Sequence, residues 1–297
     1  MRTRPGDRWF DLALAAVLLV AGGGGGGALA GPAGAVAGLA VGALAAVVAF
    51  LVRNRRWARR RAALALPFPE PWRTFLLDRY EHYHRLPPDL RRRFEDDVRI
   101  FLAEKRVTGV GIEATDDLKL LVAASAVTLS LGWPGYEWDR LTEVLLYPDD
   151  FDRDYNLEPG EQLGETHAWG TVILSVPALH ESFEDPWDAY HVGLHEFAHL
   201  LDLGQGEFEG IPAGIDAAAA AEWVAVVEKE RERMRRGKSV IDDYGEDDPV
   251  EFLGVAVEAF FEVSLALRLR HREVYRILSG YFRQDPAAWD DARGLRL

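Results

Sequence analysis

The chain has 297 residues and a formal net charge of −14, with 48 acidic against 34 basic residues. A surface with this excess of negative charge is repelled by phosphate backbones, which argues against nucleic acid as a partner. The chain contains no cysteine, and this excludes disulfide bonds and thiolate metal ligands.

The first 61 residues have the composition of a membrane region. Residues 33–52 are twenty in a row without a charge, long enough for a helix to cross a hydrocarbon core of about 30 Å. Six arginines follow between Arg53 and Arg61, and arginine beside a span marks its cytoplasmic side. We therefore expect a transmembrane helix, with the domain that follows it in the cytoplasm.

Residues 9–30 admit two interpretations. They form the first helix of a hairpin, with a tight turn near Gly31 and Pro32, or they belong to a signal peptide cleaved after Ala30. The hairpin is favoured, because a signal followed at once by a membrane span would leave almost nothing outside the membrane. Its six-glycine run at 22–27 weakens the first helix more than the second, because glycine is a poor helix former. Both interpretations place the rest of the chain at the inner membrane, facing the cytoplasm.

A proline-rich stretch, residues 62–72, predicts a stiff linker between this region and the rest of the chain. The charge changes at the same place. Residues 1–73 contain 10 basic and 3 acidic residues, whereas residues 74–297 contain 24 and 45. Residues 73–297 therefore form a strongly acidic domain, which is long enough for one well-buried hydrophobic core.

The pattern of the domain predicts an α+β fold that is mainly helical with a small sheet. Apolar residues recur at helical spacing in six segments, and two short runs have the composition of strands. His82 and His84 lie two apart in a polar segment, so they cannot face one cation on a helix and are predicted to be surface residues. The predicted helices are 89–105, 116–131, 187–203, 216–236, 249–267 and 272–283, and the predicted strands are 143–147 and 170–176.

The segment from His195 to His199 has the pattern HExxH. Residues four apart share a helix face, so the two imidazoles point at one cation with Glu196 beside them. Two neutral imidazoles and a carboxylate hold a tetrahedral Zn²⁺ and leave one position open for water. Zinc lowers the pKa of that water to about 7, and Glu196 takes its proton during attack on a peptide carbonyl. Apolar residues at helical spacing around the motif predict a buried helix, where unpaired histidines would be costly.

The third ligand is expected downstream, on a helix that starts at Pro249 after an N-cap residue, Asp248. Glu251 and Glu258 share one face of this helix among apolar residues. Spacing alone leaves the two tied, one as the metal ligand and the other as a carboxylate that orients a histidine. Asp202, three residues after His199, is a second candidate for orienting a ligand imidazole.

Three segments carry a family resemblance: residues 195–202, Tyr244 with residues 248–252, and residues 281–286. They resemble the Mlc titration factor A family of zinc peptidases, and the similarity covers about residues 67–286. In that family and in the related lethal-factor-like peptidases, the third ligand is a Glu seven residues after a Tyr.

The resemblance therefore implies that Glu251 is the third ligand and that Tyr244 donates a hydrogen bond to the developing oxyanion. Glu258 then becomes the candidate for the carboxylate that orients a ligand histidine. The resemblance further implies a zincin-like fold of the gluzincin type, one Zn²⁺ per chain and aminopeptidase-like activity on short peptides.

These inferences combine into one predicted function, a zinc peptidase anchored in the membrane through residues 9–52. Its substrate is a peptide or protein, and the strand predicted at 170–176 precedes the HExxH helix as the edge strand of a zinc peptidase would. The alternative is a regulatory binding protein that sequesters a partner such as a transcriptional repressor, with peptidase activity secondary.

Overall fold

The structure is a computed structural model, and it describes residues 5–152, 155–156, 162–203, 206–237 and 239–294. The chain divides into two compact units, Met1–Ala65 and Leu66–Leu297. Arg2 and Arg4, which belong to the predicted N-terminal membrane region, lie outside the described residues.

The first unit is helical. Helix α1 (Pro5–Leu64) is broken at Ala30 and Gly31, where Gly31 has a φ of +61° that favours glycine. Its two halves run side by side in opposite directions. Their backbones are so close that a Cβ built on Gly22 would lie 2.2 Å from the carbonyl oxygen of Gly38. The same closeness links Gly26 with Gly34 and Gly42 with Leu18. Small residues that let two helix backbones approach are typical of helix pairs in membranes.

Within the described residues, one helical stretch, Ala16–Leu64, is long and apolar enough to cross a membrane by length and composition. Very little of its apolar surface is covered by other parts of the first unit, since Val20, Val36, Val41 and Leu44 are all exposed. Exposed aliphatic side chains in this number are compatible with a lipid environment.

The second unit is mainly helical and contains a small mixed sheet, as the sequence pattern predicts. Its strands are β1 (Arg106–Gly109), β2 (Glu143–Tyr147), β3 (Gly164–Thr166) and β4 (Thr171–Ser175). Its helices are α2 (Glu70–Arg79), α3 (Glu81–Arg85), α4 (Pro88–Glu104), α5 (Asp116–Ser130), α6 (Val176–Glu181), α7 (Val192–Asp202), α8 (Ala217–Met234), α9 (Pro249–Glu262), α10 (Ser264–Arg270), α11 (Arg272–Phe282) and α12 (Pro286–Ala292), with a 3₁₀ turn at Asp243–Gly245.

The sheet has the strand order β1-β2-β4-β3. Strands β1, β2 and β4 are parallel, and β3 pairs with β4 in the antiparallel direction, with Glu165 opposite Ile173. Strand β3 therefore lies at the edge of the sheet. The expectation that segment 170–176 is the edge strand is wrong, because this segment forms β4, which lies between β2 and β3. One face of β3 packs against α7, the helix that carries the HExxH pattern.

Two predicted helices differ from the structure by more than two residues at one end. The segment 187–203 becomes helical only at Val192, because Ala189 has a positive φ of 65° and His191 is extended. The segment 249–267 divides at Val263, whose φ of −107° and ψ of 41° end α9 and begin α10. Strands β1 and β3 were not predicted, since they have only four and three residues and no alternating apolar pattern.

The core forms where α5, α7 and α9 pack together. Every residue of α7 is buried, and Phe197, Phe252 and Phe260 are fully enclosed. Helix α5 is buried along nearly its whole length, and the hydroxyl groups of Ser125 and Thr128 donate back to carbonyl oxygens one turn earlier. The functional side chains of α7 therefore project from a rigid support.

The prediction that His82 is a surface residue is wrong. His82 is 2% exposed and packs edge-on against Phe261 and Trp289. Burial lowers its pKa well below the ordinary value, so this imidazole is neutral. The polar sequence around it is misleading, because Arg85 beside it is itself buried and bonded to Asp290.

Candidate metal centre

The HExxH segment lies on α7, which starts immediately after its N-cap residue His191. The Nδ1 atom of His191 accepts a hydrogen bond from the amide of Leu194 at 3.2 Å, which satisfies one free donor of the first turn. Four-residue spacing then puts His195 and His199 on one face, with ring centroids 4.8 Å apart.

Glu251 reaches these two histidines from the first turn of α9. Asp248 caps that helix through the amide of Val250, and Pro249 occupies the first position. The Glu251 Oε2 atom lies 2.9 Å from Nε2 of His195 and 3.7 Å from Nε2 of His199. One ligand atom from each of the three residues lies within 4.8 Å of the others.

Gly254 allows this close approach of α9 to α7. A Cβ at this position would lie 2.4 Å from Cε1 and 2.6 Å from Nε2 of His195. A methyl carbon cannot lie that close to a non-bonded ring atom, so glycine is the residue that leaves room for the imidazole. The sequence analysis missed this residue, although a glycine inside an otherwise apolar helix is a usable signal.

Glu258 supports His195 from the opposite side of the ring. Its Oε1 atom lies 3.6 Å from Nδ1 of His195 and accepts a hydrogen bond from the amide of His191 at 3.0 Å. Burial by itself would lower the pKa of His195, but the carboxylates of Glu258 and Glu251 outweigh it and raise the pKa well above its ordinary value.

The residues present fit a zinc ion. Two imidazole nitrogens and one carboxylate oxygen are a donor set that zinc prefers, and all three side chains are largely buried. Although burial raises the pKa of Glu251, the hydrogen bond with His195 and the nearby imidazole of His199 lower it below its ordinary value, so the carboxylate is ionised. The Nδ1 atom of His199 is buried without a partner among the residues that the structure describes, and its Nε2 atom faces Glu251.

Glu196 points into the same site from the next position of α7. Its carboxylate Oε2 accepts a hydrogen bond from the hydroxyl of Thr166 on strand β3 at 2.8 Å. Burial raises the pKa of Glu196, whereas His199, His195 and the Thr166 hydroxyl partly oppose that effect. A carboxylate with a raised pKa beside a metal site is suited to accept a proton.

Tyr244 lies at the mouth of the site, in the 3₁₀ turn before α9. Its ring centroid is 6.1 Å from that of His195, and the residue is 65% exposed. Asp242 caps the turn by accepting from the amide of Tyr244 at 2.8 Å. Burial and the charges of Glu251 and Glu196 raise the pKa of Tyr244, so the phenol keeps its proton at neutral pH.

Asp202 does not bond to a ligand histidine. Its carboxylate accepts three backbone N–H bonds, from Glu209 and Gly210 to Oδ2 and from Ile211 to Oδ1, at 2.8–2.9 Å. The backbone turns back on itself after α7 and brings these amides to the carboxylate. Asp202 therefore stabilises the loop that carries Phe208, whose ring lies 5.9 Å from that of His199.

A cleft of about 460 Å³ opens over the three ligands. Its walls include strand β3, the 3₁₀ turn with Tyr244 and the first two turns of α9. Glu165, Glu196, Asp242, Glu251 and Glu258 all line it, and among the residues that the structure describes no Lys or Arg does. A cleft of this volume suits a short peptide, and its charge favours a cationic group on the ligand.

Comparison with known proteins agrees with this geometry. Residues 54–283 match the family described as glucose-regulated metallo-peptidase M90. An uncharacterized protein of Synechocystis is 29% identical over 261 residues, which cover 82% of this chain and 95% of that protein. Mlc titration factor A of Pectobacterium atrosepticum is 28% identical over 208 residues, 63% of this chain and 77% of that protein. The chain belongs to the glucose-regulated metallo-peptidase M90 family.

Proposed function

We propose that the protein is a zinc-dependent peptidase with aminopeptidase-like action on short peptides. The observation that carries the proposal is the convergence of His195, His199 and Glu251, with the carboxylate of Glu196 beside them in an open cleft. Bound zinc supplies a Lewis acid that polarises the peptide carbonyl and acidifies a water molecule.

In this proposal, His195, His199 and Glu251 hold one zinc ion per chain, and Glu258 keeps the His195 ring in place through Nδ1. Glu196 accepts a proton from the attacking water and passes it to the leaving amine. Its raised pKa suits both steps, because a carboxylate with a higher pKa holds the accepted proton more readily until it passes it on.

Tyr244 donates its phenol proton in a hydrogen bond to the carbonyl oxygen of the substrate as negative charge develops there. Its position at the mouth of the cleft leaves the hydroxyl free to approach a substrate from the solvent side. Arg231 stabilises the segment just after this turn, because it donates hydrogen bonds to the backbone oxygens of Glu246 and Asp247 at 2.6 Å.

Strand β3 supports binding of an extended peptide. Within the described part of the chain it pairs with β4 alone, so its other edge has main-chain groups that can add a substrate strand. Glu165 and Asp242 line the cleft without a role at the zinc, and their charge favours a substrate with a free α-ammonium group over one with a free carboxylate. Both features support an aminopeptidase-like preference.

We further propose that the enzyme lies at the inner membrane and faces the cytoplasm. The apolar helical stretch Ala16–Leu64 and the arginines between Arg53 and Arg61 support it. Deletion of residues 1–61 should move the protein from the membrane to the soluble fraction with its zinc retained. Membrane retention of the shortened chain would contradict the anchor.

A second candidate function is a regulatory binding protein. It is favoured by the name of the Pectobacterium relative, a titration factor for Mlc. In that case peptidase activity is secondary, and a variant without Glu196 still performs the cellular role. Restoration of a deletion phenotype by Glu196→Gln would favour this candidate.

The peptidase proposal is tested on the full chain in detergent, with zinc content and cleavage of short peptides measured together. Glu196→Gln should keep one zinc per chain and lose at least about 100-fold in kcat, since general-base catalysis contributes about 10²–10⁴. Unchanged cleavage by a zinc-loaded Glu196→Gln protein would remove Glu196 from the mechanism.

A further inference from the structure

Strand β3 contacts Glu196 with two residues of the same face. Gly164 and Thr166 are two apart in an extended strand, so both are directed at α7. The Thr166 hydroxyl lies 2.8 Å from Oε2 of Glu196 and 2.9 Å from its main-chain oxygen. All of these atoms are shielded, since Thr166 is 9% and Glu196 6% exposed.

Gly164 matters through its missing side chain. A Cβ there would lie 2.6 Å from Oε1 and 2.7 Å from Cγ of Glu196. The φ of Gly164 is not positive, so the backbone conformation itself does not demand glycine at this position. The close approach of the carboxylate is what demands it.

We propose that Thr166, together with Gly164, is a positioning element for Glu196, so that the edge strand that binds substrate also fixes the general base. This inference rests on the proposed function. A hydroxyl carries a single proton, so Thr166 donates either to Oε2 or to the main-chain oxygen of Glu196. When the carboxylate is ionised, the charge-assisted bond to Oε2 is the stronger one.

This bond selects one orientation of the carboxylate. It occupies Oε2, while among the described residues no hydrogen bond is formed by Oε1. Oε1 is therefore the oxygen left to accept a proton from water, and Thr166 keeps its own proton throughout. Without the hydroxyl, the Glu196 side chain can rotate, and a misplacement of about 1 Å costs on the order of 100-fold in rate.

The test uses Thr166→Val and Thr166→Ser in the zinc-loaded full chain. Thr171→Val is the matched control, because Thr171 is also a buried threonine with hydroxyl contacts, on the neighbouring strand away from Glu196. We expect Thr166→Val to lower kcat about 10- to 100-fold with KM changed less than about 3-fold and with one zinc per chain. Thr166→Ser, which restores the hydroxyl, should return kcat to within about 3-fold of the parent protein.

A second readout does not depend on activity. Thermal unfolding of the full chain in detergent is measured for Thr166→Val, Glu196→Ala and the double variant. If Thr166 acts on the Glu196 side chain, its loss should lower Tm by less than half as much when Glu196 is already alanine. Equal Tm losses in the two backgrounds would overturn the inference.

Failure of the inference and failure of the proposed function are distinguishable. If Glu196→Gln abolishes cleavage but Thr166→Val has the same kcat as Thr171→Val, the positioning role alone is overturned. If Glu196→Gln cleaves like the parent protein, both are overturned.

Discussion

Gly254 and the imidazole of His195 are in direct contact across the interface of α9 and α7, at a distance that excludes a methyl group. Glu251 lies three residues before Gly254 and Glu258 four residues after it. The contact therefore fixes the distances of their carboxylates from Nε2 and Nδ1 of His195. The position of a glycine thus determines the geometry of the candidate metal centre.

Gly254→Ala should reduce zinc affinity at least 10-fold, because a Cβ 2.4 Å from Cε1 must displace either the ring or the helix. Zinc content after dialysis against a weak chelator measures the effect. Gly280→Ala is the control, since that helical glycine has no atom within 4 Å of a built Cβ and should be neutral or slightly stabilising. Full zinc binding by Gly254→Ala would show that α9 moves freely.

Glu251→Gln and Glu258→Gln should have different effects on zinc affinity, because Glu251 is the zinc ligand and Glu258 orients the His195 ring. Glu251 faces Nε2 of both histidines, whereas Glu258 faces only Nδ1 of His195. We expect loss of stoichiometric zinc for Glu251→Gln and a 10- to 100-fold weaker but measurable affinity for Glu258→Gln. A competition titration with a fluorescent chelator measures both. The reverse order of effects would exchange the two roles.

Asp202→Asn should destabilise the protein by about 1–3 kcal/mol without changing zinc content, because the amide has one acceptor oxygen for three backbone donors. Chemical denaturation gives the free energy of unfolding. Asp117→Asn, an exposed position in the first turn of α5, is the matched control and should change it far less. Loss of zinc from the Asp202→Asn variant would show that Asp202 does contribute to metal binding.

Glu95→Gln should make the free energy of unfolding less dependent on pH in the acidic range. Although burial raises the pKa of Glu95, hydrogen bonds from Arg73 and Tyr83 lower it below its ordinary value of 4.5. A carboxylate whose pKa is lowered by folding stabilises the protein above that ordinary value, and the contribution is lost as pH falls below it. The stability gap between parent and variant should therefore be widest at neutral pH and shrink below about pH 4.5.

Thermal unfolding between pH 7 and pH 3 measures that gap. Glu70→Gln is the control, since Glu70 pairs with the same arginine but its side chain is 73% exposed, and exposed ion pairs contribute little. A gap that stays constant with pH would mean that Glu95 has the same pKa in the folded and unfolded chain.

The histidines could be predicted from the sequence because their relation is local. Four-residue spacing on one helix places His195 and His199 together whatever the rest of the fold does. The choice between Glu251 and Glu258 could not be made from spacing, since both lie on one face of α9. It depends on where α7 crosses that helix, which is a tertiary property, and only the family resemblance separated the two beforehand.

Thr166 and Gly164 could not be found in the sequence. Strand β3 has three residues, and its pairing with β4 and its contact with Glu196 both come from long-range packing. Its position three residues after His199 makes Asp202 a candidate for orienting a ligand imidazole. The loop amides of Glu209 to Ile211 compete for the same carboxylate, and sequence spacing does not reveal where a loop turns back.

The central claim is that His195, His199 and Glu251 hold one zinc ion. Zinc-edge X-ray absorption on the full chain, with metal content measured on the same sample, tests it most directly. We expect one zinc per chain with two imidazole nitrogens at about 2.0–2.1 Å and oxygen ligands at about 2.0–2.2 Å, and loss of one imidazole in His199→Ala. A spectrum with fewer than two imidazoles, or one unchanged in His199→Ala, would contradict it.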